Sequence, residues 1–458
     1  MDIWLYLGLA ATLVVIVGFS VWSGTRVRTG GRQLSLPVVS GVIMGTLVGG
    51  SSTIGTAQLA FHYGFSAWWF TLGSGIACVI LALGYTRRLR RTGCKTLVEI
   101  IRKEYGARAG ILVSVLSAVG IFVNIISQLI SATAVIAVVA PSVQTVAAVI
   151  FTIVFMVLYV VFGGTKGTGM VGIVKMLLLY SAIIACGIGV LRLTGGVAGW
   201  VTQVQTIDAD TKFFSLFARG IGTDSGACIS LLLGVLTTQT YAQAVLGGKT
   251  DNAAVGGALA SAFLIPPIGI GGILVGLYMR ANQALYAGVT AKTALTTFVT
   301  AHMPAPVAGV ILGALFITVV GGGAGLSLGV ATIVQNDIIK DRFSRLTGQK
   351  AQDALSKILI AAVLVAAGFL SCGALGDTIL QFAFMSMGLR GAVVFAPLTC
   401  ALWFPGRVDR KFAIASIITG PSLVLLFGLW PILPIDSLIL GTTASLVIMA
   451  TGLLMKKR

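Results

Sequence analysis

The stretch "GTLVGGSSTIGTAQLAFHYG", residues 45–64, lies in an apolar run long enough to cross a membrane, yet it begins with glycines and hydroxyls where a spanning helix needs apolar residues. Consecutive Gly and Ser at mid-membrane depth favour unwinding. The backbone groups so released must then face a protein-lined or watery cavity, because lipid offers them no partner. Broken helices near the midplane are the best sequence pointer to a transporter's binding site. A second cluster, "ITVVGGGAGLSLGVATIVQNDIIKDRF" at 317–343, is expected to behave in the same way.

Composition agrees with a membrane setting. Hydrophobic residues make up 57% of the 458 and charged residues 10%, with a mean hydropathy of +1.02. A soluble domain could not hide that much apolar surface. Apolar runs of about 20 residues, each able to span a core of about 30 Å, recur along the chain. The expected class is therefore an all-α polytopic membrane protein with about 13 transmembrane helices. No loop is large enough for a separate domain, so residues 1–458 form one transmembrane unit. The first apolar segment has no basic leader and no small-residue cleavage site, so it reads as a retained helix.

A net charge of +18 would suggest nucleic acid in a soluble protein, but here it must be read loop by loop. With the N-terminus outside, one side collects most of the 31 Lys and Arg residues, including "RRLRRTGCK" at 87–95, Lys166, "KDRFSR" at 340–345 and the terminal "KKR". The other side holds Arg192, Lys212, Arg219, Arg280 and Lys292. This asymmetry predicts an N-out, C-in topology in the plasma (inner) membrane. The basic excess is then topogenic and contacts lipid phosphates, with no nucleic-acid partner. The segment 95–110 reads as a short helix at the interface. Cys78, Cys94, Cys186, Cys228, Cys372 and Cys400 are scattered and contain no CxxC pair, so neither a disulfide framework nor a metal site is expected.

One ionisable group stands out. In "GMVGIVKMLLLYSAIIACGIGV", residues 169–190, Lys175 lies about two turns into an apolar span. A lysine there is costly to insert, and no acid lies at comparable depth in any span. Either its head group reaches back to the interface, or it works inside the protein. Asp224, His62 and His302 fall near the expected outer side, and Arg390, within or at the edge of a span, reads either as a gate or anion contact or as a loop-edge residue.

Several segments carry a resemblance to a known family: residues 30–106, "VLYVVFGGTKGTGMVGIVK" at 157–175, "TTQTYAQAVLGGKTDNAA" at 237–254, "NDIIKDRF" at 336–343 and "APLTCALWFPGR" at 396–407. In order and spacing, nearly the whole chain resembles the sodium:solute symporter family. The resemblance implies a LeuT-type fold of five helices repeated in inverted topology, here helices 2–6 (about 36–192) and 7–11 (about 223–403), with peripheral helices at 3–22, 410–428 and 431–454. The first helix of each repeat would be broken around the substrate. Carried over residue by residue, the substrate region would be lined by Gly49, Gly50, Ser51 and Ser52, with Gln58 further out, and by Thr237, Thr238 and Gln239.

The resemblance also exposes a departure. The family's sodium site uses backbone carbonyls of span 2, here around Val48, and two adjacent hydroxyl residues of span 9. Those two positions fall on Gly321 and Gly322. A nearby acidic position falls on Gly172, and a glutamine three places later becomes Lys175. An ammonium can take the metal's place and bind the same carbonyls through its three donors, as some proton-coupled amino acid transporters of this fold are similar in doing. Unlike sodium, an amine can also gain and lose a proton. The expectation is proton-coupled import of a small polar organic solute, an organic acid or amino acid, by alternating access. The coupling-ion site would comprise Lys175, Gly321, Gly322, Val48 and Thr318. Sodium coupling stays open, with Thr318 or Ser327 supplying oxygens, as does a fixed, non-titrating Lys175 in a facilitator or exchanger.

An enzyme would need a nucleophile and base, paired carboxylates or a metal cluster facing a cavity, and the sequence offers no such set. No catalytic residue, metal or cofactor beyond the coupling ion is expected. A membrane sensor built on the same fold remains another class of function. Apart from the solute and the bilayer no partner is required, and a monomer suffices.

Overall fold

A computed structural model describes residues 2–26, 34–163, 168–207, 212–286, 288–335, 349–373, 379–430 and 436–455. Arg28, Arg32, Lys166, the 336–343 motif and the terminal basic residues lie outside the described residues. The described chain is nearly all helical. Its helices are α1 (Ile3–Arg26), α2 (Leu36–Leu47), α3 (Thr56–Tyr63), α4 (Trp69–Ile80), α5 (Thr86–Arg91), α6 (Leu97–Tyr105), α7 (Ala107–Val139), α8 (Thr145–Gly163), α9 (Thr168–Leu193) and α10 (Val197–Gln205). They continue with α11 (Ile221–Thr237), α12 (Gln239–Leu246), α13 (Asp251–Leu264), α14 (Pro266–Ala281), α15 (Ala294–His302), α16 (Ala305–Ile333), α17 (Gln349–Ser371), α18 (Ile379–Trp403), α19 (Arg410–Leu429) and α20 (Ser437–Met455). The expected interfacial segment forms α6, whose Thr96 cap accepts the Glu99 N–H at 3.0 Å.

Among the described residues nine helical runs are long and apolar enough to cross a membrane, or ten with the bent pair α11–α12, and three shorter apolar helices accompany them. This count is below the thirteen expected because the breaks shorten some segments and one run, Ser51–Arg91, joins two of them. Within that run the chain turns at Gly64, whose φ of +56° is open to glycine and strained for other residues.

Burial separates centre from periphery. The most apolar windows of α16 and α18 are each 78% buried, against 28% for α17 and 33% for α19 and α20. α16 and α18 both pack on α7, while α2 packs on α9 and α13.

The stretch 45–64 breaks as expected. α2 stops at Leu47, Val48 is extended, and the chain resumes as a π-helical turn over Ser51–Gly55 before α3. Its freed groups are satisfied locally: Gly49 N–H donates to Ser52 Oγ at 2.9 Å, and Ser52 and Thr53 hydroxyls donate to Gly49 O at 2.9 and 3.0 Å. α7 supplies the rest, through Ser127 Oγ at 2.9 Å from Ser51 Oγ and Gln128 Oε1 accepting Gly50 N–H at 3.4 Å. Substituting side-chain oxygens for helical partners is what allows a break inside a membrane.

The second glycine cluster does not unwind. α16 runs unbroken through Gly321, Gly322 and Gly323, and there the glycines provide room for neighbours. A Cβ on Gly323 would lie 2.4 Å from the Met156 methyl. The second break falls between α11 and α12, bent by 48° at Thr238, which is extended. The Thr237 and Thr238 hydroxyls fold back onto the carbonyls of Leu233 and Gly234 at 2.7 and 2.6 Å.

Candidate functional site

The first break creates a vacant carbonyl. In a continuous helix Gly45 O would accept the Gly49 N–H, but that donor is engaged with Ser52 Oγ. Gly45 O therefore projects from the C-terminal turn of α2, where the helix dipole favours a cation. Lys175 supplies one: its Nζ donates to Gly45 O at 3.2 Å and to Thr318 O at 3.4 Å. The lysine is 5% exposed, so it points inward and does not reach back to the interface.

Glycines make this approach possible. A Cβ on Gly172 would lie 2.4 Å from Gly41 O, and one on Gly45 would lie 2.7 Å from Gly172 Cα. α2 and α9 thus touch backbone to backbone, one turn before Lys175. An acid at position 172 would not fit there. On the α16 side, a Cβ on Gly321 would sit 3.6 Å from Lys175 Nζ and 3.5 Å from the Tyr159 hydroxyl.

The other expected coupling residues are placed differently. Gly322 faces Gln128 Oε1, 3.4 Å from its would-be Cβ, and not the amine. Val48 is buried and its N–H bonds Met44 O at 2.8 Å, but it does not meet Lys175. Thr318 contributes its carbonyl, while its buried hydroxyl has no partner among the described residues. Ser327 Oγ turns back to Ala324 O at 2.8 Å.

Beside this centre lies a small cavity of about 20 Å³, room for roughly one water. Gly49, Ser51, Thr238 and Gly322 border it, and so do Gln128, Tyr241 and Arg390, which sequence reasoning did not assign to the substrate region. Gly50 and Ser52 adjoin it but serve the break itself, and a Cβ on Gly50 would overlap Ser131 at 2.4 Å. Thr237 bonds within α11.

Gln58 and Gln239 do not line the cavity. Gln58 Oε1 accepts Ile379 N–H at 2.8 Å, at the start of α18. Gln239 Oε1 accepts Leu97 N–H at 2.9 Å, at the start of α6. Both amides meet the unpaired donors of a helix N-terminus. Sequence shows that a glutamine needs a partner, but it does not show which helix end will come near.

Arg390, for which the sequence left a gate or anion contact open beside a loop-edge role, lies inside the protein. It is 2% exposed in the middle of α18. Its Nε donates to Ser386 O at 3.1 Å, Nη1 to Thr238 Oγ1 at 2.9 Å, and Nη2 to Ser386 Oγ at 3.2 Å and Met387 Sδ at 3.0 Å.

The remaining titratable candidates lie away from Lys175 and the cavity lining. Asp224, fully buried, accepts from Arg219 Nε at 2.9 Å, from the Arg219 backbone N–H at 3.0 Å and from Ser66 Oγ at 2.5 Å. His302 Nε2 lies 2.6 Å from the Tyr286 hydroxyl, and burial holds its pKa below the ordinary value. His62 ends α3 beside Phe61. Among the described residues no group of three or more His, Cys, Asp or Glu could hold a metal ion.

Comparison with known proteins completes the picture. The chain is 23% identical to the human high affinity choline transporter 1, over 91% of this chain and 75% of that protein. It is 29% identical to the uncharacterized symporter YwcA of Bacillus subtilis (strain 168), over 33% of this chain and 30% of that protein. Its structure is similar to a substrate-bound outward-open state of a Na+-coupled sialic acid symporter, with a TM-score of 0.77, 17% identity, and coverage of 98% of this chain and 97% of that one. It is also similar to the inward facing conformation of Mhp1, with a TM-score of 0.60, 14% identity, and 93% and 91% coverage. These likenesses establish the LeuT-type fold. The model of the sodium:solute symporter family matches residues 28–420, and this multi-pass membrane chain belongs to that family.

Proposed function

We propose that this secondary solute transporter imports a small organic acid or amino acid by alternating access in symport with protons, with Lys175 in the role that the family gives to sodium. The observation that carries the reading is the buried Lys175 amine donating to Gly45 O and Thr318 O. Protonated Lys175 ties the C-terminal turn of α2 to α16. A charged donor holds carbonyls about twice as strongly as a neutral one, so loss of the proton loosens that tie. A proton taken from outside would then favour the outward state and solute binding, and its release inward would free both. The arrangement needs a difference in proton affinity between the two states, since a ligand shifts an equilibrium only by its differential affinity.

Sodium coupling is the second reading. Family membership favours it, and the Thr318 hydroxyl, buried with no partner among the described residues, is an oxygen on the same residue as one of the carbonyls. Uptake of labelled organic acids and amino acids into proteoliposomes, driven by a pH gradient or by a sodium gradient, separates the two. The expected result is accumulation with the pH gradient alone, abolished in Lys175→Ala. Sodium-driven accumulation that survives in Lys175→Ala would end the proton reading.

A further inference from the structure

We infer that the solute is a small carboxylate, and that Arg390 is the residue that binds its carboxyl group. The inference rests on the transporter reading above but not on its proton. Lys175 does not border the cavity, because its amine is spent on the Gly45 and Thr318 carbonyls. Arg390 does border it, and no Asp or Glu is among the bordering residues. The cavity therefore carries one formal positive charge and no negative one.

A guanidinium buried without a counter-ion is costly unless something neutralises it. Among the described residues Arg390 meets only neutral groups: a carbonyl, two hydroxyls and a thioether. Five N–H donors leave this side chain, and thioether sulfur is a weak acceptor. One Nη1 proton is thus uncommitted, and the Nη2 proton on Met387 is easily given up for an anionic oxygen. Those two nitrogens form the edge of the guanidinium that matches a planar carboxylate in two parallel hydrogen bonds. Thr238, Ser51 and Tyr241 offer hydroxyls around the same space.

Size and coupling narrow the class further. A cavity of about 20 Å³ must widen for any solute, and a short-chain monocarboxylate asks least of it. The bond from Nη1 to Thr238 places the fork at the break between α11 and α12. A carboxylate drawing on that nitrogen thus acts on the hinge of the second broken helix. A single cation with no partner carboxylate does not provide for a zwitterion's ammonium, which sets organic acids above amino acids.

The test measures binding with no gradient present, so that it is separate from the question of the coupling ion. Purified protein is heated with acetate, propionate or pyruvate, with their amides acetamide, propionamide and pyruvamide, and with choline, and affinities are then taken by calorimetry. The carboxylates should raise the melting temperature in a concentration-dependent way, and the amides and choline should not. Arg390→Gln should lose the effect. Arg390→Lys, which keeps the charge but not the fork, should bind roughly 10- to 100-fold more weakly. If Arg390→Gln does not fold, the Arg390→Lys affinity decides. Equal stabilisation by amides or choline, wild-type affinity in Arg390→Lys, or no response to any carboxylate would overturn the inference. Carboxylate binding together with uptake driven only by sodium would instead sink the proton reading and leave this one standing.

Discussion

At the scale of single residues, the site depends as much on missing side chains as on present ones. Gly172 and Gly321 illustrate two kinds of glycine. At Gly172 an added methyl would meet Gly41 O at 2.4 Å, and neither backbone can give way without parting α2 from α9. At Gly321 the nearest atoms lie at 3.5 and 3.6 Å, an ordinary contact. Gly172→Ala should therefore cost roughly 1–3 kcal/mol, the usual range for overpacking, and should weaken pH-driven uptake by drawing Lys175 off Gly45 O. Gly321→Ser should leave the melting temperature close to that of wild type. Thermal unfolding of the two variants in detergent checks both, and equal losses would remove the distinction. Lys175 was legible in the sequence because an ammonium among apolar residues must be explained. Arg390 was legible as a cation in or at the edge of a span with an anion contact open to it, but its partner on α11–α12 was not, because Thr238 lies far away in the chain. Gln58 and Gln239 were legible only as polar, since the helix ends they cap come from distant parts of the chain.

At the scale of elements, charged side chains collect backbone carbonyls at helix ends, at the break after α2 and at the C-terminal end of the second broken helix. α12 shows this most fully. Its C-terminal carbonyls, at Val245 and Leu246, and that of Gly248 just beyond accept from Arg90 Nη1 at 3.0, 3.2 and 2.7 Å, and Arg90 Nε meets Asp251 at 2.5 Å. Arg90 thereby fixes α5 to the end of the second broken helix. A lysine has the charge but not the span of the guanidinium. Arg90→Lys should lower stability by roughly 2 kcal/mol, the order expected for losing charge-assisted hydrogen bonds at buried acceptors. It should also slow uptake, because α12 would no longer move with α5. A wild-type melting curve for Arg90→Lys would show that the carbonyls are satisfied without it. The break at 48–52 was readable from its Gly-Ser run because those residues both permit unwinding and supply replacement oxygens. The run at 321–323 looked alike and stayed helical: three glycines weaken a helix, but packing on α7 and α8 decides the outcome.

At the scale of the whole molecule, two buried cations stand at two breaks: Lys175 of α9 at the end of α2, and Arg390 of α18 at the joint of α11 and α12. In the proposed inverted repeats α9 and α18 are corresponding helices. Coupling and solute recognition would then be the same device used twice, one cation exchanging a proton and the other an anion. If the fold is indifferent to which cation fills the first position, the ion should be replaceable. Lys175→Ala empties the place beside Gly45 O and Thr318 O, and Gly321→Ser adds a hydroxyl where a Cβ lies 3.6 Å from the departed amine. Two carbonyls and an added hydroxyl are neutral oxygens of the kind hard cations take. The double variant should be stabilised by sodium chloride and not by choline chloride, and should take up solute under a sodium gradient, whereas wild type should respond to neither. Gly322→Ser in place of Gly321→Ser should fail, since that side chain would face Gln128. Sodium stabilisation of the wild-type protein to the same extent would mean that Lys175 leaves the metal's place open, and the exchange of amine for ion would have to be abandoned.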